Sequence, residues 1–241
     1  MKEVFYLAAI IIILLVFLYL HNTQSSNNNL KKRIINFFEE MGYKYQPPEP
    51  IRSKSYGPNN DYYIYSTAQV QKENTVMIQP IVRKEDQNSA NPFQLSKFTM
   101  ISTRIEKNMG ENVDISIKFM RDFCGIDMGK IGCVSISGNN RFGFEGIENY
   151  IGQLEYGGIN KKNIYIRNAD EAVKEGAGDG FWKDPDFSEN NGWSISFYYQ
   201  LENGANIADY KNYNKWLEVG EILENEISFG LERIKYVIGK N

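Results

Sequence analysis

The sequence is poor in the side chains most catalytic sites need. His21 is its only imidazole in 241 residues, and Cys124 and Cys133 are its only thiols. His21 directly follows an N-terminal apolar run. No Ser-His or Cys-His catalytic unit can therefore be assembled in the rest of the chain. H-E-x-x-H is excluded, and so is a four-ligand zinc site of Cys and His. The patterns G-x-x-x-x-G-K-[ST], G-x-S-x-G and S-x-x-K are all absent.

Excess positive charge is also lacking. Lys and Arg number 27 against 30 Asp and Glu, a formal net charge of −3. A nucleic-acid footprint needs clustered basic residues, so the sequence predicts no nucleic-acid partner. There are 26 Asn and 20 Ser or Thr, yet no N-x-[ST] triplet, which argues against a eukaryotic secretory route. No internal repeat is present.

Aromatic residues are plentiful, at 14% of the chain, and supply large surfaces for a buried core. The strongest single feature is "VFYLAAIIIILLVFLYL", residues 4–20. As a helix this run would reach roughly 26 Å, enough for the hydrocarbon core of a bilayer. A cleaved signal peptide is the rival reading, but the run ends in bulky Phe17, Leu18, Tyr19 and Leu20 rather than small residues. The sequence thus predicts a retained single-pass anchor. Lys31, Lys32 and Arg33 on its long side favour a cytoplasmic domain by strict count, whereas the layout of an export signal favours the outside. The second is taken, which places the domain outside the cytoplasm, periplasmic or extracellular.

The predicted organisation is a short cytoplasmic tail (1–3), a transmembrane anchor (4–20), a segment with polar spacer, juxtamembrane helix and Pro-rich linker (21–50), and an extracytoplasmic domain (51–241). The helix in 21–50 comes from Leu30, Ile34, Phe37, Phe38 and Met41 at helical spacing, with Asn29 before them and Gly42 after. Its apolar face either lies on an anionic membrane or docks on the domain behind it, and docking is favoured. Segments 61–70 and 75–83 pattern as a strand pair, in which Pro80 demands an edge or a bulge. Asn91 and Pro92 open a predicted helix carrying Phe98, Ile101 and Ile105, although Thr99 and Thr103 pull toward strand. Val113, Ile115, Ile117 and Phe119 alternate as in a strand. "IGCVSIS", "RFGFEGI" and "GWSISFYYQL" add strands, and "NADEAVKEG" a short helix capped by Asn168. Residues 207–238 are predicted as one long helix with the stripe Trp216, Val219, Leu223, Ile227, Leu231 and Ile234. Early acids and late bases in that segment match a helix dipole. The fold class expected is α+β: an antiparallel sheet packed by helices and preceded by the transmembrane helix.

Two constellations remain as candidate sites. Cys124 and Cys133 enclose "GIDMGKIG", whose three glycines can turn the chain back. In an oxidising compartment a disulfide between them is expected. The second is "GAGDGFWKDPDFSENNGW", residues 176–193. Asp179, Asp184, Asp186 and Glu189 stand there beside Trp182 and Trp193 and suggest a protein- or sugar-binding surface. Clustered carboxylates also make Asp179, Asp184, Asp186 and Glu189 a weak calcium candidate, off the EF-hand spacing. The bland alternative is a loop whose aromatics fold inward. No cofactor is expected. The functional expectation is a membrane-anchored, non-catalytic binding module facing outside the cytoplasm, such as an envelope-assembly subunit or a protein that captures or neutralises another protein. Its alternative is a carboxylate-dependent hydrolase acting on glycans.

Overall fold

The computed structural model describes residues 28–56, 61–64, 66–67, 70–104, 108–176, 178–183 and 191–240. The apolar run 4–20 and His21 lie outside these residues, as do Asp184, Asp186 and Glu189. Among the described residues no helix is long and apolar enough to cross a membrane, so the keyword of a transmembrane helix finds no support there.

An eight-stranded sheet organises the chain. Its order is β1 (Lys44–Gln46), β4 (Thr75–Val82), β5 (Lys97–Arg104), β12 (Glu226–Gly230), β11 (Trp216–Ile222), β10 (Ile195–Gln200), β6 (Ile131–Ile136) and β7 (Ile164–Arg167). The outer pairs β1–β4 and β6–β7 are parallel, and every pair between them is antiparallel. Two small hairpins stand apart, β2 (Arg52–Tyr56) with β3 (Asp61–Tyr63) and β8 (Phe181–Lys183) with β9 (Asn191–Trp193). The mixed α+β class expected from the sequence holds: a large sheet flanked by helices.

Helices cover one face. Helix α1, residues 28–40, buries Ile34 and Phe38 completely, and Gly42 ends it with φ +96°. Its apolar face is thus docked on the domain. Phe38 meets Phe119 at 5.2 Å, and Phe119 meets Phe229 of β12 at 4.7 Å. This chain of rings ties helix to sheet; each fully buried ring of this kind contributes about 1.5–3 kcal/mol. Helices α2 (Met109–Lys118), α3 (Ile151–Tyr156), α4 (Ala169–Glu175) and α5 (Leu231–Ile238) add Val113, Leu154, Ala172 and Ile234 to the same core.

Several local expectations are corrected. Residues 97–104 form β5 rather than a helix, pairing with β4 and β12 along their length. The spacing of Phe98, Ile101 and Ile105 mimicked a helix, while the β-branched alternation Thr99, Ile101, Thr103 fits a pleated strand. Residues 113–118 are helical, not extended. The Asn108 side chain accepts from the Glu111 backbone N–H at 2.9 Å and the Glu111 carboxylate accepts from the Asn108 N–H, a complete capping box. Residues 207–238 are not one helix. They contain β11, a turn, β12 and the eight-residue α5. "RFGFEGI" forms turns with an isolated bridge between Asn139 and Phe144 rather than a strand. Pro80 behaves as its chemistry requires, for β1 pairs only with Thr75–Met77 and has ended before it.

The expected disulfide is also corrected: Cys124 and Cys133 are both free and buried. Cys124 closes a π-type turn, Phe119–Phe123, that follows α2, and Cys133 lies inside β6. The glycine-rich segment between them does not fold back on itself. It steps from helix to strand through a turn in which Asp127 caps the Gly129 N–H at 2.9 Å. Burial pushes the Cys124 thiol up to about 12 and raises that of Cys133 as well, so neither is a ready thiolate.

Candidate functional site

The sheet face away from the main core carries a cleft of about 440 Å³. Its floor is built by strand alternation. In β10, Ile195, Phe197 and Tyr199 point into the core, which turns Ser194, Ser196 and Tyr198 to the other side. Met100 of β5, Ser228 of β12 and Trp216 of β11 line the cleft beside Tyr198. Trp216 is fixed by its indole N–H, which donates to the Asn206 carbonyl at 2.9 Å.

Glu218 and Glu221 both line this cleft although they stand three residues apart on β11. Strict alternation would send them to opposite faces. A bulge resolves the conflict. Phe197 pairs with Gly220 and the next residue, Tyr198, pairs with Glu218, leaving Val219 as the extra residue. Leu217, Val219 and Ile222 accordingly all enter the core. Gly220 is required here by proximity, since a Cβ on it would stand 2.2 Å from Phe229 Cδ1 and 2.5 Å from the Ser228 carbonyl oxygen.

A third carboxylate, Asp179, comes from the turn before β8. The Tyr198 hydroxyl donates to it, and the Arg167 guanidinium donates to its backbone carbonyl. Desolvation first, and then the Glu218 charge, raise the Asp179 pKa. The same two causes push Glu221 up to about 7, with Asp179 and Glu226 adding to the effect. The Ser194 hydroxyl donates to Glu221 at 2.6 Å and opposes the shift. Tyr198 is raised too, by burial and then by the Glu218 and Asp179 charges.

Cationic and aromatic groups form the rim. Arg233 of α5 donates to the Glu218 carboxylate at 2.6 Å, to the Glu218 carbonyl at 3.1 Å and to the Phe93 carbonyl at 3.2 Å. It thereby ties the β4–β5 connection to β11. Arg83 lies over the Phe98 ring at 5.2 Å, and Phe93 meets Tyr236 edge-on at 5.0 Å. Gln94 and Asp86, joined at 2.6 Å, hold the connection in shape. Opposite, Tyr210 packs against Tyr198 at 5.5 Å, and burial pushes its hydroxyl up to about 12.

Of the residues singled out in the sequence, Asp179 lines the cleft. Trp182 lies in β8 against Gly192, partly exposed. Trp193 is buried, its ring 5.8 Å from Tyr150, in the core on the opposite side. Asp184, Asp186 and Glu189 fall outside the described residues. Among the described residues no group of three His, Cys, Asp or Glu side chains could hold a metal ion. Glu218, Glu221, Tyr198 and Arg233 had escaped the sequence reading because a single helix was drawn through 207–238. Gly220 and the polar turn at Leu223–Asn225 were the available signals of a hairpin.

No protein-family model matches the chain, and no curated protein matches it in sequence. Its fold is similar to the crystal structure of apo histidyl-tRNA synthetase from S. aureus, at 11% identity and a TM-score of 0.46. The likeness covers 88% of this chain and 64% of that one, so the chain spans less than two thirds of the synthetase. A likeness at this level fixes no activity. Three expectations are nevertheless corrected. A membrane-anchored, non-catalytic binding module with a glycan hydrolase as its alternative is not carried forward: the similar structure is a synthetase, and Trp193, assigned to the partner-binding patch, is buried. A membrane and another protein as partners are dropped with it. The exclusion of nucleic acid no longer stands, because that neighbour is named for tRNA.

Proposed function

We propose that this protein binds a small organic cation, a ligand bearing a primary ammonium group, in the cleft on the open face of the sheet. One observation carries the reading. Asp179, Glu218 and Glu221 converge on the floor, and two of the three are held above the ordinary carboxylate range by burial and by the other charges. Such a floor lacks positive charge, and a cation supplies it. An ammonium suits it better than a bare metal ion, since no three ligands come close enough to coordinate one among the described residues. The volume leaves space for an organic body of moderate size against Phe93, Phe98 and Trp216.

The test is a thermal-shift series at pH 8 with 2-phenylethylamine, its neutral analogue 2-phenylethanol and its acidic analogue 3-phenylpropionate. The amine is expected to raise Tm, in line with a stabilisation of about 2.7 kcal/mol at a hundredfold excess over Kd. The alcohol and the acid are expected to leave Tm unchanged, and Asp179→Asn and Glu218→Gln to weaken the amine's effect at least tenfold in Kd. Stabilisation by the acid alone would overturn the reading.

A further inference from the structure

We propose that the floor of the unliganded cleft holds a proton, centred on Glu221 and shared with Glu218 and Asp179, and that an incoming ammonium group displaces it. The inference rests on the cation-binding reading above and adds its regulation: occupancy is linked to pH.

The geometry supplies two independent supports. The bulge at Val219 turns Glu218 and Glu221 to one face, where Asp179 meets them. Beside them, Ser196 stands directly across from Glu221 in the β10–β11 pair and so shares its face. Ser196 is 1% exposed, and its hydroxyl has no hydrogen-bond partner among the described residues. A buried hydroxyl without a partner costs free energy that a ligand N–H can recover. The ammonium thus meets a hydroxyl as well as carboxylates.

The charged surroundings do not neutralise Glu221. Glu218 on its own strand, Asp179 on the turn before β8 and Glu226 on β12 all repel its negative form. Arg233 is engaged by Glu218. Arg167 acts on Asp179 and pairs with Glu175 at 2.6 Å, while Arg104 acts on Glu226. Glu226 itself accepts from the Thr67 and Ser102 hydroxyls, each at 2.9 Å. Tyr198 donates to Asp179 and carries no positive charge. The remaining donor to Glu221 is the neutral Ser194 hydroxyl. When an ammonium arrives, the Glu221 carboxyl gives its proton to solvent and the carboxylate pairs with the ligand cation. Charge is conserved by that exchange, and no other bond is made or broken.

Two measurements on the intact chain test this. Carbon-13 NMR of side-chain-labelled glutamate follows each carboxyl from pH 4 to 9 without ligand. One Glu carboxyl is expected to titrate near pH 7. It should be missing in Glu221→Gln and shifted upward in Ser194→Ala, which keeps the carboxyl and removes its donor. Calorimetry with 2-phenylethylamine, protonated throughout, then runs from pH 5.5 to 8.5 in two buffers of different ionisation heat. Affinity is expected to rise about tenfold per pH unit below about 7 and to level off above it, with up to one proton released per ligand on the acid side. Absence of any Glu carboxyl titrating above pH 6 overturns the proton and leaves the cation reading intact. Equal affinity at pH 5.5 and 8.5 overturns the exchange. No binding of the probe at any pH overturns the cation reading and the exchange with it.

Discussion

At the scale of single residues, Glu221 sets the pH behaviour of the protein. Its folded pKa stands at about 7, above the ordinary value of 4.5. A raised carboxyl stabilises the fold fully below pH 4.5, and that stability is lost as pH rises through 7. Urea unfolding between pH 5 and 8.5 should therefore show wild type losing up to about 3 kcal/mol, less what solvent screening removes. Glu221→Gln should flatten this slope and be the more stable protein at pH 8. A slope unchanged by the substitution would contradict the assignment. Gly220 is the second decisive residue. Gly220→Ala drives a methyl into Phe229 and the Ser228 carbonyl. The expected cost is about 1–3 kcal/mol in the same assay, with loss of 2-phenylethylamine binding as the bulge shifts. Neither role was visible in the sequence. A glutamate three residues from another looks like a helix pair, and only the partner strand reveals that a bulge puts both on one face.

At the scale of elements, sequence patterns succeeded where one signal stood alone and failed where two periods coincided. Asn168 before "ADEAVKE" marked a helix start, and α4 begins there, its cap accepting from Glu171 N–H at 3.1 Å. The alternation of Ile195, Phe197 and Tyr199 matched β10 because both neighbours of that strand are strands. Val113, Ile115 and Ile117 alternate just as cleanly, yet all are buried on a helix, whose wide apolar face and capping box outweigh the period of two. Asn108→Ala removes one half of that box and should cost about 1 kcal/mol in chemical denaturation, with no change in the cleft. Similarly, Arg233 joins α5, β11 and the β4–β5 connection. Arg233→Met should loosen the connection across residues 83–96, read as faster limited proteolysis there, while the core melts cooperatively as before.

At the scale of the whole molecule, the sheet divides the protein into a sealed side and an open side. Helices and rings fill the first with a continuous apolar core. Tyrosine, serine and carboxylate side chains occupy the second. Both thiols belong to the sealed side. They should resist a water-soluble thiol reagent in the folded protein and react only on unfolding, with identical mobility in reduced and unreduced gels. Overall class and a large buried core were legible from aromatic content and strand signals. The cleft was not, because its residues come from five distant stretches of sequence brought together by strand order.

The central claim is that an ammonium ligand occupies the open face, and Trp216 reports on it directly. Its indole is the only one of the three tryptophan indoles that lines the cleft. In a nitrogen-15 correlation spectrum at pH 8, titration with 2-phenylethylamine should move the Trp216 indole signal progressively and leave that of buried Trp193 in place. A Trp216 signal that stays fixed while the amine is raised to saturating millimolar levels would contradict the account.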